Sequence, residues 1–137
     1  MPRSLCPPFS TAVVLCIDDN QDVLKCEREF LEAFGYTVLT ASSGGQGLEL
    51  ASTLPVDVVV LDYFMPTMNG QAVAMEMRRL RLQAPIILLT ETDNVPPDPT
   101  LNLVDALVAK DRLSSQLLPT IAYLQDCGLI PPPFYDA

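Results

Sequence analysis

Val58-Val59-Val60-Leu61-Asp62, with the segment Tyr63-Phe64-Met65-Pro66-Thr67-Met68-Asn69-Gly70 behind it, decides the fold. The run is apolar and β-branched, shows no alternation, and stops on an acid. A strand with one wet face alternates polar and apolar residues. A strand without alternation is covered on both faces, as in a parallel sheet. Residues 57–62 are therefore predicted as a buried strand, and 63–68, with Pro66, as the loop that leaves it.

On the N-terminal side, residues 13–18 form a similar apolar run that ends at Asp18-Asp19. Asn20 is placed to cap a helix over 21–34, whose apolar stripe is Val23, Leu24, Phe30, Leu31 and Phe34. Gly35 stops it. Residues 36–40 read as a strand and 44–54 as a weaker helix. Toward the C-terminus, Asn69-Gly70 opens a helix to about residue 82, with Val73, Met77 and Leu80 at i, i+4 and i+7. Arg78, Arg79 and Arg81 in its last turns read as a solvated helix end that suits the dipole. Residues 85–90 form another continuous apolar strand. Pro96, Pro97 and Pro99 make 91–100 loop-like, so any helix there is short or absent. Residues 105–110 are the fifth strand. Ser114 or Ser115 caps a last helix with Leu117, Ile121 and Leu124 on one face, where Pro119 is tolerable only near the first turn.

Five strands alternating with helices make an α/β fold, a doubly wound five-stranded parallel sheet with helices on both faces. The chain's 137 residues suit one domain, placed at 11–128 between a flexible arm, 1–10, and a proline-rich tail, 129–137. Hydrophobic residues are 49% of the chain, enough for one core. The net charge of −9 repels phosphate backbones and argues against nucleic-acid binding. Four cysteines without C-x-x-C spacing, and no histidine, exclude the usual zinc sites and any Ser/His or Cys/His pair. Cys16 and Cys26 read as small hydrophobes and the thiols as reduced, which implies a cytoplasmic protein. No apolar stretch has the length of a membrane span. The faintly signal-like start is rejected because its apolar run ends in Asp18-Asp19 with no small-residue cleavage site.

In an open parallel sheet, ligands bind beyond the carboxyl ends of the strands. Asp18, Asp19, Asp62, Thr90 and Lys110 stand at those ends here. Three carboxylates together repel one another unless a cation relieves them. A hard cation with oxygen ligands fits, and Mg²⁺ typically takes one or two carboxylates, keeps waters and adds a phosphate oxygen. Phosphoryl transfer needs positioning and charge neutralisation, which a cation, the Lys110 ammonium and the Thr90 hydroxyl can supply. A carboxylate is a competent nucleophile for an aspartyl-phosphate. Spacing does not say which aspartate attacks.

Val14-Leu15-Cys16-Ile17-Asp18-Asp19, the segment from Val59 to Gly70, Leu88-Leu89-Thr90 and Val108-Ala109-Lys110 together resemble the marks of response-regulator receiver domains over about 13–127. The resemblance implies a flavodoxin-like strand order, 2-1-3-4-5, and a two-component phosphorelay protein, stand-alone or excised, that signals rather than turns over a substrate. It implies Asp62 as phosphoacceptor, with Asp18 and Asp19 positioning Mg²⁺ (Asp19 by direct ligation) and the Phe64 backbone carbonyl adding an oxygen. It implies Thr90 and Lys110 on the phosphoryl group. The implied partners are a sensor histidine kinase or phosphotransfer protein and a downstream protein, with no nucleic acid and no membrane. Four features depart from the family. Leu107 stands where an aromatic is usual, Asp111 where proline is frequent, Glu91 where a small residue is usual, and the proline-rich 91–100 where the fourth helix belongs. The departures favour a second reading, a pseudo-receiver that only docks proteins; the complete acidic, threonine and lysine set opposes it. A phosphohydrolase of the haloacid-dehalogenase kind needs D-x-D after the first strand, and Asp18-Asp19-Asn20 lacks the second acid.

Overall fold

A computed structural model describes residues 12–66, 68–91, 96 and 98–125. The strands are β1 (Val13–Ile17), β2 (Thr37–Ala41), β3 (Val58–Asp62), β4 (Ile86–Thr90) and β5 (Ala106–Ala109). The helices are α1 (Gln21–Glu32), α2 (Gly44–Thr53), α3 (Gly70–Arg79), α4 (Asp98–Leu101) and α5 (Leu113–Leu124), with a 3₁₀ turn over Lys110–Arg112. All neighbouring strands are parallel, in the order β2-β1-β3-β4-β5. The expected doubly wound sheet and its strand order are both found.

Alternate residues of the central strands feed two cores. Val14, Cys16, Val58, Val60, Ile87, Leu89 and Val108 pack with Leu24 and Leu31 of α1 and Leu117 and Ile121 of α5. Leu15, Ile17, Val59, Leu61, Ile86 and Leu88 pack with α2 and with Val73, Ala74 and Met77 of α3. Every residue of β3 and β4 is buried, the physical counterpart of their unbroken apolar runs.

Local chemistry sets the joints. The Asn20 side chain accepts from the amides of Asp22 and Val23, and the Asn69 side chain from that of Ala72. Gly35, at φ 93°, ends α1 in a conformation that a side chain resists. At Gly70 a Cβ would lie 2.8 Å from Tyr63 Cα and 2.9 Å from the Asp62 carbonyl oxygen. The Gly70 amide donates to the Tyr63 carbonyl at 2.8 Å, which seats the start of α3 against the end of β3.

Several expectations are corrected. Leu80 caps α3 and is exposed rather than part of its buried stripe. Cys26 is exposed, whereas Cys16 is buried as expected. Glu27, unmarked in the sequence reading, occupies the buried face of α1. Arg78 is no solvated helix end. Its Nε donates to the Leu103 carbonyl at 3.0 Å and its Nη2 pairs with Asp105 Oδ2 at 2.8 Å. Neither Ser114 nor Ser115 caps α5, which begins at Leu113 behind the 3₁₀ turn, so Pro119 lies inside the helix. Pro119 and Ser115, whose carbonyl loses its usual donor, are both exposed, so water can serve that carbonyl. Within 91–100 a short α4 forms with Pro99 in its first turn, where a missing amide hydrogen leaves no intrahelical bond unmade. The expected arm, 1–10, and tail, 129–137, lie outside the described residues.

Candidate functional site

The register of the sheet assembles the site. Ile17 pairs with Leu61 in the β1–β3 ladder, so Asp18 and Asp62 are the next residues along adjacent strands. Asp62 pairs with Leu89 of β4, and Thr90 with Ala109 of β5, which brings Lys110 to the same edge. Asp18, Asp19 and Asp62 each offer a carboxylate oxygen within 4.8 Å of the others. Asp18 and Asp62 are each 1% exposed, while Asp19 is open to solvent. Such a cluster is a buried demand for positive charge.

Lys110 meets part of that demand. Its Nζ lies 2.9 Å from Asp62 Oδ1 and 3.9 Å from Asp18 Oδ2. Asp18 Oδ1 accepts from the Asn20 amide at 2.9 Å, a local turn that also orients the carboxylate. Asp18 Oδ2, buried, accepts no hydrogen bond. Burial lifts the Asp18 carboxyl to about 6, with repulsion from Asp62 and Asp19 added and the Asn20 amide and Lys110 opposing. Burial also raises Asp62, against the Lys110 ion pair and the Phe64 amide. For Lys110, burial works against the charge, but the Asp62, Asp18 and Glu91 carboxylates outweigh it and its pKa is raised.

The all-oxygen donor set and the unbonded, buried Asp18 Oδ2 fit a hard divalent cation. Asp18, Asp19 and Asp62 are the residues able to hold it. Thr90, buried at the end of β4, stands one register step beyond Asp62 on the neighbouring strand. Phe64 is 49% exposed at the rim, its ring edge-on to Tyr63 at 4.9 Å, and its amide serves the Asp62 carboxylate. Asp18, Asp19, Asp62 and Lys110 are thus brought into one cluster, and Thr90 and Phe64 flank it. Sequence reasoning missed the Asn20 amide on Asp18; an acid two residues before an Asn N-cap was the available signal.

A doubly wound parallel sheet with an acidic pocket and a lysine at its carboxyl edge defines a class of signalling receiver. The response regulator receiver domain family matches residues 14–106, and the chain belongs to that family. Response regulator SaeR of Staphylococcus aureus is 39% identical over 77 residues, covering 56% of this chain and 33% of SaeR. The matched region thus spans about a third of that relative. Among solved structures, the response regulator TrrA from Thermotoga maritima in complex with Mg(2+)-BeF is 30% identical, with a TM-score of 0.78, covering 83% of this chain and 99% of that one. The structure of histidine kinase ThkA in complex with TrrA matches at 30% identity and a TM-score of 0.76, over 83% of this chain and 98% of that one. The Francisella response regulator 1452 receiver domain, 24% identical at a TM-score of 0.78 over 85% and 98%, shares the fold.

Proposed function

We propose that the chain accepts a phosphoryl group on Asp62 in a Mg²⁺-dependent reaction and relays the event to a protein partner through a conformational change. The observation that carries this reading is the Asp62 carboxylate, buried, held by Lys110 at 2.9 Å, within the three-carboxylate cluster. In the reaction, an Asp62 oxygen forms a bond to the donor's phosphorus. The donor's bond to phosphorus breaks and its electron pair leaves with the departing group. Lys110 and the Thr90 hydroxyl take the phosphoryl oxygens, and Asp18 and Asp19, with Asp62 and the Phe64 carbonyl, would hold the metal. Bound Mg²⁺ would supply neutralisation of the charge gathering on those oxygens.

The donor is a sensor histidine kinase or a phosphotransfer protein; the complex of ThkA with TrrA supports the first. The receiver unit is placed at 11–128 and its setting is cytoplasmic, which the free thiols of Cys16 and Cys26 suit. Among the described residues no helix is long and apolar enough to cross a membrane. The chain is a signalling protein, and its only chemistry is its own phosphorylation and dephosphorylation. Leu107, half-buried against the α2/α3 core, stands in place of a switching aromatic, so the downstream contact differs from the family's usual one.

Intact-mass measurement after incubation with acetyl phosphate tests the reading. One added phosphoryl group, abolished by EDTA and by Asp62→Asn, is expected. No gain in mass with Mg²⁺ present would leave the chain a docking module.

A further inference from the structure

A third acid approaches Lys110, and the sheet puts it there. Thr90 stands opposite Ala109 in the parallel β4–β5 ladder, so Glu91 and Lys110 leave the two strands side by side. Glu91 Oε1 lies 3.9 Å from Lys110 Nζ, the ammonium that also holds Asp62 Oδ1 at 2.9 Å. Side-chain exposure falls from 56% at Glu91 through 26% at Lys110 to 2% at Asp62. The three form a gradient from solvent inward, with a fixed negative charge at its outer end.

We propose that Glu91 is a charge filter that sets which phosphoryl donors Asp62 accepts. The inference rests on the reading of Asp62 as phosphoacceptor. Glu91 acts in two ways. It shares the Lys110 ammonium, which the phosphoryl oxygens need, and this handicap is the same for every donor. It also repels the donor's own charge, and this handicap grows with that charge. Acetyl phosphate arrives as a dianion and phosphoramidate as a net monoanion. With acetyl phosphate, an Asp62 oxygen bonds phosphorus, the bridging P–O bond breaks, and acetate leaves with the electron pair. With phosphoramidate, the P–N bond breaks and the already protonated nitrogen leaves as ammonia. Transfer is otherwise the same, so the two donors separate charge from chemistry. Glu91 touches the site through Lys110 and is a specificity-determining residue, not part of the bond-making set.

The test compares the full chain with Glu91→Gln and Glu91→Asp, in Mg²⁺, by labelling rate with each donor. A partly exposed carboxylate beside the donor's approach changes a dianion's rate by roughly fivefold and a monoanion's by roughly twofold at low salt. Glu91→Gln is therefore expected to accept acetyl phosphate about five times faster and phosphoramidate about twice as fast. Both gains should vanish near 1 M salt, where the screening length is about 3 Å. Glu91→Asp, which keeps the charge, should retain the wild-type donor preference. An equal change for both donors, no change, or a gain that survives high salt would overturn the proposal. Absence of labelling in every protein, or labelling that persists in Asp62→Asn, would instead remove the phosphoacceptor reading and this inference with it.

Discussion

Glu27 occupies the apolar stripe of α1 between Leu24 and Leu31, 2% exposed. The stripe was legible from Leu24, Leu31 and their neighbours; the acid at i+3 from Leu24 was not, because binary patterning assigns a charge to solvent. Cys16 lies beside it and eases its charge only weakly, since neither carboxylate oxygen has a hydrogen bond of ordinary length and angle. Burial raises Glu27 to about 7 from its usual 4.5, with repulsion from Asp18 next. A carboxyl raised on folding binds its proton more tightly in the native state. Its favourable contribution is complete below the unfolded pKa of 4.5 and is lost as pH rises through about 7. Glu27→Gln keeps the shape without the titration. Relative to wild type, the variant should gain stability between pH 4.5 and 8, by an amount on the order of a few kcal/mol. Urea melts at several pH values check this; parallel stability curves would show that Glu27 stays ionised without penalty.

The elements themselves were largely legible. Each predicted strand is found within a residue of its expected ends, four of them trimmed and the second shifted from 36–40 to Thr37–Ala41, because short runs rich in apolar and β-branched residues have no competing helical period. Errors cluster where tertiary contacts override local pattern. Arg78, at the end of α3, donates to the Leu82 and Ala84 carbonyls of the turn that follows, and reaches across to the Leu103 carbonyl and the Asp105 carboxylate ahead of β5. Asp105 Oδ2 also accepts from the Ile86 amide at 2.8 Å, so one fork ties α3 to the starts of β4 and β5. No sequence period signals a bond spanning so many residues. Arg79, by contrast, among the described residues pairs only with Glu76 one turn back on the exposed helix surface. Arg78→Ala should lower stability by roughly 1–3 kcal/mol, and Arg78→Lys should recover little, because an ammonium cannot fork. Arg79→Ala should leave it nearly unchanged, because water screens an exposed ion pair. Denaturant midpoints for the three variants decide; equal effects of the two alanine substitutions would remove the tie.

At the scale of the whole molecule, one fold feature and one charge feature coincide. Parallel strands deliver their carboxyl ends to one edge, and the ends carry Asp18, Asp62 and Lys110. That coincidence was legible in the sequence as soon as the strands were, since strand ends are the positions periodicity marks. The Lys110–Glu91 approach depends on the β4–β5 register, which pattern alone does not fix. A net charge of −9 adds a long-range pull on cations to the local cluster. Mg²⁺ binding to the native state should therefore stabilise the fold. At ten times its dissociation constant, the gain is roughly 1.4 kcal/mol. Asp19→Asn removes one charge from the carboxylate cluster without burying anything, and at the same Mg²⁺ concentration should show a clearly smaller gain. Thermal melts with and without Mg²⁺ measure both, and an identical Mg²⁺ increment in wild type and variant would take Asp19 out of the site.

Three carboxylates share the pocket within 4.8 Å, and one of them, Asp62, is proposed to take the phosphoryl group. The most direct measurement is to phosphorylate the chain with phosphoramidate and Mg²⁺, trap the acyl phosphate by borohydride reduction, and map the reduced residue by peptide mass spectrometry. Reduction of Asp62 alone, dependent on Mg²⁺, is the expected result. Modification of Asp18 or Asp19 in its place, or modification of Asp62 that proceeds equally in EDTA, would contradict it.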